Sequence, residues 1–255
     1  MCRQSADIVV VLDQSTSIVQ DSYDNWFTQV LGFTADIARS FEIGPTETQL
    51  AVLKFSDEID IGFYLDDYHN KTTLVNVILQ LDIRGGDTNI AAALKQTRNE
   101  MFSSSHGARS GVSKVLFLVT DGTPNIDGHL TEPEAKATRD AGIEIFAVGV
   151  TSNVNRKVLR QVASQPTNTH VYFVEMFDQL SNIVRTLVNV SCGTLPRSVA
   201  TRTTAATTTT TTISATTTTT TSTTTTPVPT TTSPPGEFTS IHSHVRNKDR
   251  LGLSI

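Results

Sequence analysis

No stretch of this sequence approaches the ~18 consecutive apolar residues that a membrane-spanning helix needs. Met1 is followed directly by Cys2 and Arg3, without the apolar core of a secretory leader. The chain therefore reads as a piece of a longer secreted protein, or as a mature form with an added Met, with a cytosolic protein as the competing reading. Basic charge is scarce where a fold could form. Residues 1–192 hold 15 Lys and Arg against 23 Asp and Glu, a net of −8; residues 193–255 hold 5 against 2, a net of +3. An acidic globular part with no basic stripe argues against nucleic acid as a partner. Cysteine is limited to Cys2 and Cys192, and neither has a His or second Cys at metal-ligand spacing. The phosphate-cradling G-x-x-x-x-G-K-[ST] is missing. So is the D-x-D-x-T of aspartyl phosphotransferases, because Ser15 stands where the second acid would be. His69, His106, His129 and His170 fall in polar, loop-like surroundings, form no Ser–His–acid set, and read as surface histidines. These absences point away from an enzyme.

What is present centres on Asp13-Gln14-Ser15-Thr16-Ser17. The apolar run at residues 8–12 before it reads as a central strand of a parallel sheet. That strand delivers Asp13, Ser15 and Ser17 past its C-terminal end, the edge where open α/β sheets place their ligands. A carboxylate and two hydroxyls are hard oxygen donors, suited to Mg²⁺ or Mn²⁺ more than to Zn²⁺ or copper. Two later stretches offer further donors. Residues 115–119 form a second apolar strand that leads to Thr120-Asp121-Gly122. Gly85-Gly86-Asp87-Thr88-Asn89 is a flexible loop ending on a hydroxyl where a helix starts. Asp87 itself reads as a solvated or capping acid, and Asp7, at the far end of the first strand, as a surface charge.

The rest of the chain alternates. Amphipathic spacing predicts helices over residues 21–41, 74–81, 88–101, 132–141, 155–164 and 177–190. Strands are predicted at 50–55, 59–64, 143–150 and 171–174. Residues 56–58 make a hairpin, so the strand at 59–64 is an antiparallel edge. The expected fold is α/β: a doubly wound, mostly parallel six-stranded sheet with one antiparallel edge strand and helices on both faces. Residues 1–192 form this domain. Residues 193–236 are a Thr/Pro-rich tract that cannot offset its ordering entropy, expected as an O-glycosylated, mucin-like stalk. Residues 237–255 form a short tail with no assigned role.

The D-x-S-x-S, G-G-x-T and T-D-G motifs, in this order and at these element ends, resemble the von Willebrand factor A domain over residues 6 to about 190. The resemblance implies a metal-ion-dependent adhesion site with Asp13, Ser15, Ser17, Thr88 and Asp121 around one Mg²⁺ or Mn²⁺. It implies adhesion without turnover, of the matrilin and collagen type. The partner is then an extracellular matrix or cell-surface protein offering a Glu or Asp, or a second copy of the chain. Binding by other faces with the metal idle is the alternative. The hydroxyl ligands leave the ion more of its positive charge, which favours an anionic sixth ligand. Specificity is expected in the loops at 122–130 and 103–113. The link at 151–155 is too short for the extra helix of collagen-binding integrins. Cys2 and Cys192 bracket the domain and suggest a disulfide, with two free thiols as the alternative; a bridge implies an oxidising compartment. Asn70-Lys71-Thr72 and Asn189-Val190-Ser191 are N-glycosylation sequons that agree with secretion.

Overall fold

The structure, a computed structural model, describes residues 5–16 and 28–193 with their side chains, and residues 23–27 and 194 as backbone. Cys2 and Ser17, and the tract and tail from residue 195 on, lie outside the described residues.

Six strands form one sheet in the order β3-β2-β1-β4-β5-β6. They are β1 (Ala6–Asp13), β2 (Gln49–Phe55), β3 (Ile59–Phe63), β4 (Ser113–Thr120), β5 (Ile143–Val150) and β6 (Val171–Val174). Every pairing is parallel except β2 with β3, as the short hairpin requires. The chain winds outward from β1 to β3, then returns to the other side of β1 with β4. The switch in winding direction therefore falls between β1 and β4, where open sheets leave a crevice at the carboxyl ends.

Alternation along β1 divides the core in two. Ile8, Val10 and Leu12 face one cluster with α1 (Tyr23–Ser40), α2 (Lys71–Ile78) and α7 (Leu180–Thr194). Val9 and Val11 face the other with α3 (Ile90–Gln96), α4 (Thr131–Asp140) and α5 (Arg156–Val162). A one-turn helix, α6 (Thr167–His170), precedes β6. β1 is buried along its whole length. Each Leu, Ile or Val side chain so buried is worth about 1.5–3 kcal/mol, which makes β1 the centre of both halves of the core.

Helix ends follow their caps. Asn70, Asn89 and Asn155 accept backbone N–H bonds at the starts of α2, α3 and α5. The Asn70 cap starts α2 three residues earlier than periodicity suggests. Asn89 caps α3, so Thr88 precedes the helix and its hydroxyl is spared from capping. α3 passes into a π turn at Thr97–Met101, which buries both Met101 and Phe102. The last helix continues through Cys192 to Thr194, beyond the predicted end near 190.

Readings of two residues and one loop are corrected. Asp7 is fully buried, not a surface charge. Its carboxylate pairs with Arg109 (Nη2–Oδ1 2.7 Å, Nε–Oδ1 2.8 Å) and accepts the Arg109 backbone N–H at 2.7 Å. That contact also corrects the position of residues 103–113. They lead into the start of β4, opposite the edge that carries Asp13, so they do not border the site. His170 is 3% exposed; its ring stacks on Phe146 at 4.5 Å and meets Glu144 Oε1 at 2.9 Å. Polar neighbours in sequence misled there, because α6 folds the ring under itself.

Candidate metal site at the sheet edge

β1 ends on Asp13, whose carboxylate is completely buried. Oδ1 accepts the Ser15 backbone N–H at 2.9 Å, and Oδ2 accepts the Thr120 hydroxyl at 2.5 Å. Among the described residues no Lys or Arg pairs with it. Burial is the dominant influence on this group and pushes its pKa above the ordinary carboxylate value, against the lowering effect of the Thr120 and Ser15 hydrogen bonds. A buried, unbalanced carboxylate is costly unless a cation completes it.

Ser15, Thr88 and Asp121 are 2–4% exposed. All three line one cleft of about 250 Å³ with Thr16, Gly86, Asp87, Gly122, Thr123, Asn125 and Asn153. Gly122 gives a measure of the convergence. A Cβ placed there would lie 3.2 Å from Thr88 Oγ1 and 3.7 Å from Asp13 Oδ2, so those oxygens are at most about 7 Å apart. Of the five predicted metal residues the structure brings together Asp13, Ser15, Thr88 and Asp121; Ser17 falls outside the described residues. Hydroxyl and carboxylate oxygens within such a span suit a hard divalent ion. Among the described residues no group of three or more His, Cys, Asp or Glu could hold a metal, so the hydroxyls are integral to this donor set.

The loops that carry these residues are tied to one another. Thr16 N–H donates to Gly86 O at 2.7 Å, and Gly86 N–H donates to Thr16 Oγ1 at 2.9 Å. Gly86 has φ +118°, and a Cβ on it would lie 2.0 Å from Asp57 Oδ1, so only glycine fits. Asn125 Oδ1 accepts the Thr88 N–H at 2.7 Å, and Asn125 Nδ2 donates to Asp87 at 2.9 Å. Upstream of Gly85, the buried Lys54 ammonium binds Asp82 O (2.7 Å), Asp82 Oδ1 (2.8 Å) and Asp60 Oδ2 (2.9 Å). Its hydrogen bond holds the Asp82 carboxyl below its ordinary pKa. Thr120, Asn125 and Lys54 were not predicted as site residues. Thr120 was legible as the first letter of T-D-G; Asn125 and Lys54 carry no signal without the fold.

The other predicted residues are dispersed. Asn70 is exposed and caps α2 through Oδ1, and Asn189 is exposed on α7. Cys192 is half-buried against the core beneath α1 and α7; its suggested partner, Cys2, is outside the described residues. Residues 151–155 link β5 to α5 directly, with Asn155 as the cap and no intervening helix.

An open sheet of this winding, with hydroxyl and carboxylate side chains gathered at its switch point, is an α/β domain with a cleft at its carboxyl edge. The chain belongs to the von Willebrand factor type A domain family, whose sequence pattern matches residues 7–186. It is 31% identical to integrin alpha-1 of Gallus gallus over 196 residues, which cover 73% of this chain and 66% of that one. It is 32% identical to the collagen alpha-1(XII) chain of Notophthalmus viridescens, covering 76% of this chain and 20% of the collagen. Matrilin-1 of Gallus gallus is 29% identical over 75% of this chain and 38% of its own length. The chain thus spans less than two thirds of the length of each of these relatives, which are matrix and adhesion proteins. Among solved structures, proximal thread matrix protein 1 of the mussel byssus superposes with a TM-score of 0.71 at 27% identity, covering 75% of this chain and 49% of that one. A second structure of that protein has zinc in its metal-ion-dependent adhesion motif. No helix among the described residues is long and apolar enough to cross a membrane.

Proposed function

We propose that this chain is an extracellular, metal-dependent protein-binding module that performs no turnover. One Mg²⁺ or Mn²⁺ is held by Asp13, Ser15, Ser17, Thr88 and Asp121. The ion takes a Glu or Asp carboxylate of a matrix or cell-surface partner as its remaining ligand. The observation that carries this reading is Asp13, a fully buried carboxylate with no basic partner among the described residues, beside a cleft walled by Ser15, Thr88 and Asp121. A divalent ion there supplies a positive centre open to the cleft. Three of its five protein ligands are neutral hydroxyls, which offset less of the ion's charge than carboxylates would and leave it able to take a partner carboxylate as its remaining ligand. Zinc in the mussel relative supports a divalent ion. It also widens the candidate list, since oxygen ligands accept zinc and the usual affinity order places Mn²⁺ below Zn²⁺.

Around this site, the Cys2–Cys192 disulfide closes the ends of the domain, N-linked glycans sit on Asn70 and Asn189, and residues 193–236 form an O-glycosylated stalk. The Asn70 side chain caps its helix through oxygen, which leaves the amide nitrogen clear for a glycan. A pull-down of matrix proteins in Mn²⁺ and in EDTA tests the proposal. Capture in Mn²⁺ that disappears in EDTA supports it. Capture unchanged by EDTA assigns partner binding to another face and leaves the metal idle.

A further inference from the structure

The helix that follows cleft-lining Asn153 carries three cations with no ion pair among the described residues. Arg156, Lys157 and Arg160 are all exposed on α5. Arg156 and Arg160 are four residues apart and share a side of the helix. Both guanidinium groups lie over the single ring of Phe173 on β6, with Cζ 4.3 Å and 5.5 Å from its centroid.

Five other described arginines are matched, whereas Arg185 on α7 is exposed and forms no ion pair among the described residues. Arg39, Arg84, Arg98 and Arg109 pair with Asp36, Asp60, Glu134 and Asp7, and Arg139 donates to the carbonyls of Gln161 and Val162. Arg156, Lys157 and Arg160 form no ion pair among the described residues and spend no side-chain donor on the protein. The Phe173 ring covers one face of each guanidinium, worth about 0.5–1 kcal/mol at an exposed site. Each guanidinium keeps its five N–H donors available for an external partner. A domain of net charge −8 thus holds one concentrated patch of positive charge.

We propose that the α5–β6 face binds a sulfated glycosaminoglycan through Arg156, Lys157 and Arg160, independently of the metal site. Closely spaced sulfates and carboxylates on an extended chain match paired guanidinium forks, which grip oxyanions two bonds at a time. The three residues line neither the cleft beside Asp13 nor the groove between α1 and α7. What the patch presents is exposed, closely spaced cations, which fits the repeated charges of a polyanion.

Calorimetric titration with a heparin oligosaccharide of defined length tests this, in EDTA and in Mn²⁺ and at two salt concentrations. The wild type is expected to bind equally with and without metal, and more weakly at high salt. Asp13→Ala and Arg185→Ala, the latter another exposed arginine, leave that affinity unchanged. The pair Arg156→Gln and Arg160→Gln, which preserves helix propensity, weakens it at least about tenfold with circular dichroism unaltered. A wild type that fails to bind, binding that vanishes in EDTA, or a double variant that binds like wild type overturns the proposal. So does displacement by poly-glutamate as effective as displacement by unlabelled heparin, which would reassign the face to acidic proteins.

Discussion

The Thr120 hydroxyl donates a 2.5 Å hydrogen bond to Asp13 Oδ2 across the β1–β4 boundary. This bond joins the ends of the two strands between which the winding reverses, and it aims the buried carboxylate. The hydroxyl in turn accepts the Gly122 N–H at 3.2 Å, so the turn after β4 is set by the same atom. Hydrogen bonds to charged groups contribute about 1.5–3 kcal/mol. Thr120→Val keeps the shape and removes the donor. It is expected to weaken Mn²⁺ binding by roughly tenfold or more on that basis, read by calorimetry, while the domain stays folded.

Protonation of Asp13 couples the site to pH. Burial raises its folded-state pKa. Between the ordinary carboxylate value and that raised value, the folded, metal-free domain holds a proton that the unfolded chain has released. Linkage then makes metal-free stability fall as pH rises through this window, and stay lower above it. Metal affinity runs the opposite way, falling as pH drops through the raised pKa, because the ion needs the carboxylate form. Asp13→Asn should melt above wild type in EDTA at neutral pH, by about 2–4 °C for each kcal/mol recovered. It should gain nothing from added Mn²⁺. Thermal scans of both proteins across pH, with and without metal, check both signs.

Gly86 is the third test. An alanine there must hold a φ of +118° with its Cβ 2.9 Å from Ser56 Cβ, a clash that turning the exposed Asp57 side chain does not relieve, so the loop shifts and strains the reciprocal Gly86–Thr16 bonds. Gly86→Ala is predicted to cost about 1–3 kcal/mol of stability, by denaturant titration. It should lower metal affinity as well, since the shared tie of the Asp13 and Thr88 loops is weakened.

The six strands and their mostly parallel pairing were readable because buried parallel strands advertise themselves as apolar runs, and the hairpin at Ser56-Asp57-Glu58 allowed only an antiparallel edge; the strand order came from the structure. Asp13, Ser15 and Asp121 could be placed because they sit within two residues of the ends of β1 and β4, and Thr88 because it stands just before a helix start. What escaped depended on tertiary contacts. Nothing near Asp7 in the sequence announces Arg109, which arrives from residues 103–113 at the opposite sheet edge. The paired stack of Arg156 and Arg160 needs Phe173 from a different element, so the net acidity of the domain concealed it. His170 was hidden in the same way, its burial supplied by Phe146 and Glu144.

Because α7 runs without a break through Cys192, a bridge to Cys2 would tether the helix itself with no slack. Cys192→Ser is then expected to cost about 2–5 kcal/mol of stability. It should raise affinity for the captured matrix partner in Mg²⁺ if carboxylate binding draws this helix along. Surface plasmon resonance on the folded variant measures it. Unchanged affinity with intact circular dichroism removes α7 as a regulator, and peptide mapping without reductant reports the bridge independently.

Calorimetric titration of Mn²⁺ into the metal-free wild type and into Asp13→Ala tests the central claim most directly. The account predicts saturation at one ion per wild-type domain and no measurable binding by the variant, with both folded by circular dichroism. Equal binding by the two proteins, or none by the wild type, would contradict it.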